Sequence, residues 1–312
     1  MSFINAVLEK ERNILKQVGH EMTESNTDRN YPATYYNSYS ENLYEPMGER
    51  HEKEYGGGAG GELNSSGKRP AKMASIRSSS AMTFNLLGND TIIMKENKIG
   101  HTPGKYKIEY EKQLNTICNG RNQRPANLDV LLVSENEDEL IFCEMKMLEW
   151  FTKNTGRLKE AYKEAKNYFL GKETAQFLKA IEMIEALGTS QRCFEYYDVW
   201  QMYKHTLAIY NYMTEKGWEN YRKITLVNVV FEPISDVFEG ESKVTYEKQV
   251  ALEHEGFQKF FFALEEVGLL GGKTCFDVQY VSTKEFMSYF KITDDKKDYL
   301  RRYTLEGLQR GC

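Results

Sequence analysis

The 312-residue sequence contains no apolar run of the about 18 residues that a membrane-spanning helix needs. Its N-terminal segment also lacks the basic start and the cleavage site of a secretory signal peptide, since Glu9 and Glu11 follow only a short apolar stretch. These absences argue against a membrane protein and against a secreted one. We therefore expect a cytoplasmic protein that has no membrane partner.

Cysteine and histidine are too few and too scattered to form the usual disulfide or metal frameworks. The 5 cysteines are odd in number, lie far apart and include no C-x-x-C pair, which disfavours disulfides and structural zinc. The 5 histidines show no H-E-x-x-H spacing, and no G-x-S-x-G motif is present. Zinc hydrolases and histidine-metal nucleases are therefore disfavoured.

The sequence has no excess of positive charge, since it contains 41 Lys and Arg residues and 46 Asp and Glu residues, which gives a net charge of −5. Binding of nucleic acid over the whole surface is disfavoured, because phosphate contacts rely on Lys and Arg. Two short stretches are locally basic, and either a solvated loop or a set of phosphate contacts would explain them. The first contains Lys68, Arg69, Lys72 and Arg77, and the second contains Arg121 and Arg124.

The most informative stretch runs from Leu128 to Met147 and predicts a β-hairpin. Two apolar segments flank a polar turn, which is the pattern of two paired strands. Asp129 lies near the start of the first segment, and Glu144 and Lys146 lie near the end of the second. These two ends adjoin in an antiparallel hairpin, and residues two apart on a strand share a face. The pattern therefore brings two acids and a lysine together.

Charged side chains in such an apolar hairpin suggest a metal site. A buried, unpaired carboxylate is unfavourable, so such groups are paired or bind a metal. Asp129, Glu144 and the carbonyl of residue 145 would form the oxygen-rich site that Mg²⁺ prefers, with Mn²⁺ as a substitute. Lys146 would hold or deprotonate an attacking water, or stabilise negative charge. The simpler alternative is a solvated strand face that carries the same residues.

The acid on one strand and Glu144-Met145-Lys146 on the next resemble the PD-(D/E)xK nuclease superfamily. Pro125 precedes Asp129 by four residues rather than one, so the first half of that motif is loose. A wider similarity to bacterial restriction endonucleases involves residues 58–63, 78–88 and 127–132. The resemblance implies a restriction-endonuclease-like fold and Mg²⁺-dependent hydrolysis of a phosphodiester. It also implies that Asp129, Glu144 and Lys146 are the catalytic residues.

Two further acids would complete the metal shell. Glu62 follows a glycine-rich run at 56–61 whose backbone could approach phosphate, although a flexible connector also explains that run. Glu111 belongs to the alternating segment Lys105–Leu114, which predicts the first core strand, with a helix as the alternative. It would reach the site if this strand neighbours Asp129, and an exposed strand face is the other interpretation.

The remaining periodicity predicts an α/β fold in which helices flank a mixed central sheet. Strands are expected at about 105–115, 128–134, 140–147, 224–231 and 275–281. Helices are expected at about 3–18, 81–87, 158–169, 173–187, 193–215, 244–266 and 283–290, and a polar tail at 299–308. We assign residues 1–55 to an N-terminal helix with an irregular arm and residues 56–312 to a nuclease-like α/β domain.

The expected function is metal-dependent hydrolysis of double-stranded DNA by a protein that acts alone or as a homodimer. Two alternatives stay open. One is a member of the same fold that binds nucleic acid or protein without catalysis, which the 21 tyrosines and the acidic charge would suit. The other is a nuclease that acts on RNA. Binding of a divalent metal separates the first alternative from the enzyme, and a panel of substrates separates the second.

Overall fold

A computed structural model describes residues 3–22, 26–28, 31–57, 61–65, 70–118, 125–191, 193–271 and 275–307. Within these ranges the chain forms the predicted α/β fold, with one large mixed sheet between two layers of helices. Four of the predicted phosphate contacts lie outside the described residues, namely Lys68, Arg69, Arg121 and Arg124.

Short 3₁₀ turns connect several of the regular elements, which alternate along the chain. Their order is α1 (Phe3–Gln17), β1 (Asn26–Asp28), β2 (Tyr31–Tyr35), α2 (Glu49–Gly57), α3 (Ser79–Leu87), β3 (Thr91–Met94), β4 (Gly104–Leu114), β5 (Ala126–Ser134), β6 (Glu139–Lys146), α4 (Glu173–Gln191), α5 (Val199–Lys216), β7 (Lys223–Val230), α6 (Gly240–Glu266), β8 (Phe276–Ser282), α7 (Thr283–Ser288) and α8 (Asp294–Leu300). Among the described helices, none is both long enough and apolar enough to cross a membrane.

The central sheet has the strand order β3-β4-β5-β6-β7-β8. Strands β3 to β6 are antiparallel neighbours, so β5 and β6 form the predicted hairpin, whereas β6, β7 and β8 run parallel. Parallel neighbours need long crossover connections. Helices α4 and α5 lie in the connection from β6 to β7, and α6 lies in the connection from β7 to β8. The predicted mixed sheet is confirmed.

Both faces of β6 are buried, as the apolar sequence of this strand predicts. Ile141 and Cys143 belong to the core on the side of α1 and α3, whereas Leu140 and Phe142 belong to the core on the side of α4, α5 and α6. Alternate residues of a strand point to opposite faces. Glu144 and Lys146 therefore lie on the second face, beneath α5.

The segment 158–169 is not the α-helix that its apolar spacing predicts. It forms two 3₁₀ turns, Glu160–Lys163 and Ala165–Asn167. The side chain of Asn167 donates to the carbonyl of Ala161 at 2.8 Å, and its own carbonyl accepts from the N–H of Cys118 at 2.7 Å. Such bonds compete with the regular helical ladder, so apolar spacing alone is misleading here.

Residues 299–307, the described part of the segment 299–308, do not form the predicted polar tail. Tyr299, Arg302 and Tyr303 are buried, and a guanidinium nitrogen of Arg302 lies 2.7 Å from Glu11 Oε1 in α1. Arginine is mostly exposed in proteins, so its sequence suggests a surface segment. Glu11, the ion-pair partner that allows Arg302 to be buried, lies near the other end of the sequence, so no local sequence pattern reveals this contact.

Regular structure also extends further into the N-terminal region than the predicted irregular arm. Strands β1 and β2 and the start of α2 lie before residue 55. The division that we place at residue 55 falls inside α2, and it stays a prediction. Helix α5 begins at Val199 rather than near residue 193, because the side chain of Asp198 caps it.

Candidate active site

The candidate active site lies where the ladder between β5 and β6 ends. Regular pairing stops at Val130 and Cys143. Beyond that pair, the N–H of Met145 donates to Asp129 Oδ2 at 2.6 Å, so a carboxylate takes the place of a strand carbonyl. Asp129 and Glu144 line the same cleft, which has a volume of about 600 Å³. The end of the hairpin thus presents two acids to one solvent-accessible space.

Glu144, Lys146 and Gln201 form a connected polar group at the edge of this cleft, where Glu144 and Gln201 line the cleft and Lys146 lines an adjoining cavity. Lys146 Nζ lies 2.8 Å from Glu144 Oε1. Gln201 Nε2 donates to Glu144 Oε1 at 2.7 Å, and Gln201 Oε1 accepts a bond from Lys146 Nζ. Gln201 is in the first turn of α5, whose cap Asp198 accepts from the Gln201 N–H at 3.1 Å. A capped helix end therefore fixes the side chain that orients the lysine.

Glu111 has an unusual backbone conformation beside Asp129. The residues on either side of Glu111 pair regularly with β5, yet its own φ is 51°. This left-handed region is uncommon for a residue other than glycine. Asn127 of β5 donates a hydrogen bond to the Glu111 carboxylate. Backbone strain of this kind persists only where the surrounding structure holds it, and it is common at functional sites. Here the β4–β5 pairing holds the strained backbone of Glu111, whose carboxyl group lines the cleft.

The opposite wall of the cleft is formed by the segment before α3. Glu62, Lys72 and Arg77 all line the cleft, and Lys72 Nζ lies 3.2 Å from Glu62 Oε1. Glu62 was predicted as a further ligand, and Lys72 and Arg77 were predicted as phosphate contacts. The structure brings these three residues to the same space as Asp129 and Glu144, and it tests none of their roles.

Two carboxyl groups of the cleft have raised pKa values. Burial, followed by the negative charges of Glu144 and Glu111, raises the pKa of Asp129 well above its usual range. Burial also raises the pKa of Glu111 to about 7, and the nearby charge of Glu62 contributes. Clustered acids repel one another when they ionise, and a bound cation removes that repulsion. A cation in the cleft would therefore favour the ionised form of these acids.

Glu144 and Lys146 show the opposite behaviour, because they stabilise each other's charge. Burial acts to raise the pKa of Glu144, but the positive charge of Lys146 and the contact with His205 outweigh it and lower that pKa to about 2. Burial acts to lower the pKa of Lys146, but the charges of Glu144 and Glu149 outweigh it and raise that pKa above its usual value. Lys146 is therefore an ammonium ion in this structure.

Gln201 and His205 are residues of the site that the sequence analysis missed. His205 is buried, and its Nε2 lies 2.9 Å from Glu144 Oε2. The two residues are four apart on α5 and so lie on one face of the helix. Their signal in the sequence is a pair of polar residues within an otherwise apolar stripe. The sequence alone predicts only a helix over 193–215, and the fold shows that β6 ends beneath it.

A second cavity of about 510 Å³ continues from the cleft and shares Asn127 and Gln201 with it. Three basic side chains line it, namely Arg157, Lys159 and Lys204. The sequence analysis did not select any of them as phosphate contacts. Together with Lys72 and Arg77, they surround the acidic floor with positive charge, which is the arrangement that a polyanion needs despite the negative net charge.

No three side chains of His, Cys, Asp or Glu in the described ranges form a complete metal site by themselves. This excludes a closed zinc-type site among those residues, since structural zinc takes four protein ligands. A hard cation that keeps several waters needs only one or two carboxylates. Asp129 and Glu144 could hold such an ion, and Glu111 and Glu62 are the remaining acids of the cleft.

Comparison with curated proteins and with solved structures gave no significant match to this chain. The model of the family described as Restriction Endonuclease associating with ARP matches residues 6–259. The match includes every residue of the cleft described above and extends over most of the chain. The chain therefore belongs to this restriction-endonuclease family.

Proposed function

We propose that the protein is a metal-dependent endonuclease with a PD-(D/E)xK-type centre that hydrolyses phosphodiesters in double-stranded DNA. The observation that carries this proposal is the convergence of Asp129, Glu144 and Lys146 where β5 and β6 separate. Membership of a restriction-endonuclease family supports the same reaction. The four described cysteines are free thiols, which suits the reducing cytoplasm in which we expect the protein to act.

Asp129 and Glu144 would hold the Mg²⁺ ion, and Mn²⁺ would be able to replace it. When bound, the ion would lower the pKa of a water and neutralise charge on the phosphodiester. Asp129 must lose its proton to act as a ligand, and the cation would offset the repulsion from its acidic neighbours. Glu111 and Glu62, on the walls of the same cleft, would accept hydrogen bonds from waters that surround the ion.

Lys146 would act as an ammonium ion that donates a hydrogen bond to the attacking water and stabilises negative charge at the phosphate. Its raised pKa and its contact with Glu144 disfavour the alternative role as a general base, because that role needs the neutral amine. Gln201, which accepts a hydrogen bond from Lys146 Nζ, would hold that group beside Glu144.

Replacement of Asp129 by asparagine tests the metal site directly. Wild-type protein is expected to cut plasmid DNA with Mg²⁺ or Mn²⁺ and to leave it intact with EDTA. Asp129→Asn is expected to lower the cleavage rate by about 10³-fold, since metal stabilisation supplies several kcal/mol. The heat of Mg²⁺ binding, measured by calorimetry, should fall in parallel.

A suitable control is Asp138→Asn, because Asp138 lies at the turn end of the same hairpin. This variant is expected to cut and to bind Mg²⁺ like the wild type. An absence of both cleavage and Mg²⁺ heat in the wild type would overturn the proposal in favour of a binding protein. Cleavage of RNA with no cleavage of DNA would assign the site to RNA instead.

Replacement of Arg77 by alanine tests the basic wall of the cleft. Affinity falls as salt rises, and each phosphate contact adds about 0.9 to the magnitude of that slope of log affinity against log salt for duplex DNA. Arg77→Ala is therefore expected to weaken DNA binding similarly for all sequences and to reduce the salt slope by about 1. The measurement is DNA affinity by fluorescence anisotropy, over a range of salt and in Ca²⁺ or EDTA to prevent cleavage.

Arg50→Ala provides the matched control for Arg77. Arg50 is an arginine of α2 that bonds to Glu54 at 3.1 Å, and it does not line the cleft. Its replacement should leave the salt slope unchanged. Equal slopes for the wild type and Arg77→Ala would remove Arg77 from the DNA contacts.

A further inference from the structure

A third cavity, of about 230 Å³, lies behind Lys146 and is here named the side chamber. The side chamber and the cleft share Glu149 and Thr152 as walls, so the two spaces adjoin. Asn228 of β7 and Glu253 of α6 also line it. Because Asn228 pairs in register with Glu144, the chamber lies one strand away from the candidate metal site.

Three buried polar atoms around the side chamber make no hydrogen bond with any described residue. They are Glu253 Oε2, Asn228 Oδ1 and Tyr197 Oη. Glu253 and Asn228 are each 2% exposed, and Tyr197 is 0% exposed. An unpaired buried polar group costs about 1–3 kcal/mol, so native proteins rarely retain several in one place. All three atoms can accept a hydrogen bond, which points to a ligand that donates.

The charges that line the side chamber select a neutral ligand. The positive charges of Lys146 and Lys153 repel a cation, whereas the negative charges of Glu149 and Asp198 repel an anion such as phosphate. The volume is below the about 300–1,000 Å³ of pockets that hold drug-sized ligands, so the ligand is small. Trp150 and Tyr196 also line the chamber and provide aromatic surface for a flat ring.

We propose that the side chamber binds a nucleobase with an exocyclic amino group, cytosine or adenine, turned out of the nucleic acid whose backbone lies in the cleft. This inference rests on the proposed endonuclease function and names the substrate feature that the site selects. A base is the neutral part of a nucleotide, and its amino group donates to the acceptors that Glu and Asn present. Enzymes that read a base in this way remove it from the stack, at a cost of a few kcal/mol.

The protonation of Glu253 agrees with this choice of base. Burial raises the pKa of Glu253 to about 8, against the nearby charge of Lys146. A neutral carboxyl group offers one donor beside one acceptor. Cytosine and adenine each present an amino donor beside a ring-nitrogen acceptor, which is the complementary pair. Thymine can also pair with a neutral carboxyl group through its ring N–H, but it has no second donor, whereas an amino group has a second hydrogen for Asn228 Oδ1 or Tyr197 Oη. Guanine presents a ring N–H rather than an acceptor beside its amino group, so it does not match the donor of a neutral Glu253.

The first test is calorimetric titration of the full-length protein with dCMP, dAMP and dTMP in EDTA, so that metal binding does not contribute. We expect dCMP or dAMP to bind about 10-fold more tightly than dTMP, since one good hydrogen bond is worth about 1.4 kcal/mol. Glu253→Leu should abolish that preference. Glu255→Leu, an exposed position on the same helix, should retain it.

Glu253→Leu removes an unpaired buried carboxyl group, so it is expected to fold, and a thermal melt checks this. Asn228→Ala provides a second variant that removes a different acceptor of the same chamber and should also reduce the preference. Equal affinity for the three nucleotides, or no binding of any of them, overturns the proposal.

The second test maps the positions at which the wild type cuts random-sequence DNA. The cuts should share cytosine or adenine at a fixed distance from the broken phosphodiester, and Glu253→Leu should lose this pattern. A pattern that persists in Glu253→Leu overturns the side-chamber proposal while the endonuclease proposal stands. Selective nucleotide binding that Glu253→Leu abolishes, in a protein that cuts no DNA, supports the chamber and overturns the endonuclease proposal.

Discussion

Replacement of Lys146 by alanine is expected to lower the rate of DNA cleavage by about 10³-fold while Mg²⁺ binding persists. The ammonium of Lys146 contacts Glu144 at 2.8 Å and is oriented by Gln201. In the proposed mechanism it takes part in the chemistry without being a metal ligand. Its removal also frees Glu144 from a competing positive charge, so Mg²⁺ affinity should stay the same or rise. Cleavage rates and calorimetric heats on the same samples measure the two effects.

Lys112 offers a matched control, because it lies on β4 of the same sheet and its Nζ lies 2.8 Å from Glu109 Oε2 of that strand. Lys112→Ala removes the same charge and the same kind of ion pair, and it is expected to cut DNA like the wild type. Wild-type cleavage by Lys146→Ala would exclude this lysine from the chemistry. Loss of cleavage together with loss of Mg²⁺ heat would show instead that Lys146 only maintains the structure.

The β5–β6 hairpin could be predicted from the sequence because its signals are local. Alternation defines β5 and β6, the polar turn between them fixes their pairing, and the period of two puts Glu144 and Lys146 on one face. The position of Asp129 near Glu144 then follows from the antiparallel direction of the two strands. The apolar run of β7 likewise predicts a buried strand, and the structure pairs it with β6.

The parts that could not be predicted depend on contacts between distant segments. Gln201 and His205 reach Glu144 only because α5 crosses the end of β6, and no spacing within α5 reveals that crossing. The left-handed backbone of Glu111 has no sequence signal either, since glycine or asparagine usually marks such a conformation. Both features belong to the candidate site, and functional sites are where sequence-based rules for local structure most commonly fail.

The largest effect on stability is expected from replacement of Arg302 by methionine. Arg302 is fully buried, lies 2.7 Å from Glu11 Oε1, and donates to Asn42 Oδ1 at 2.9 Å. Methionine fills a similar volume but leaves the carboxylate of Glu11 buried without its partner. Breaking one side of a buried ion pair destabilises a protein by about 3–5 kcal/mol. The midpoint of thermal unfolding should therefore fall by about 5–15 °C.

A double replacement separates the ion pair from simple packing. In Glu11→Leu with Arg302→Met no buried charge remains unpaired, and replacement of a whole buried pair by apolar residues is often close to neutral. The double variant is therefore expected to be more stable than Arg302→Met alone, which chemical denaturation would measure as a coupling free energy. Arg301→Met, at the neighbouring and partly exposed position, is the control and should change stability little. The comparison also needs the single variant Glu11→Leu. If the stability losses of Glu11→Leu and Arg302→Met add up to the loss of the double variant, Arg302 contributes through packing and its ion pair does not connect the C-terminal segment to α1.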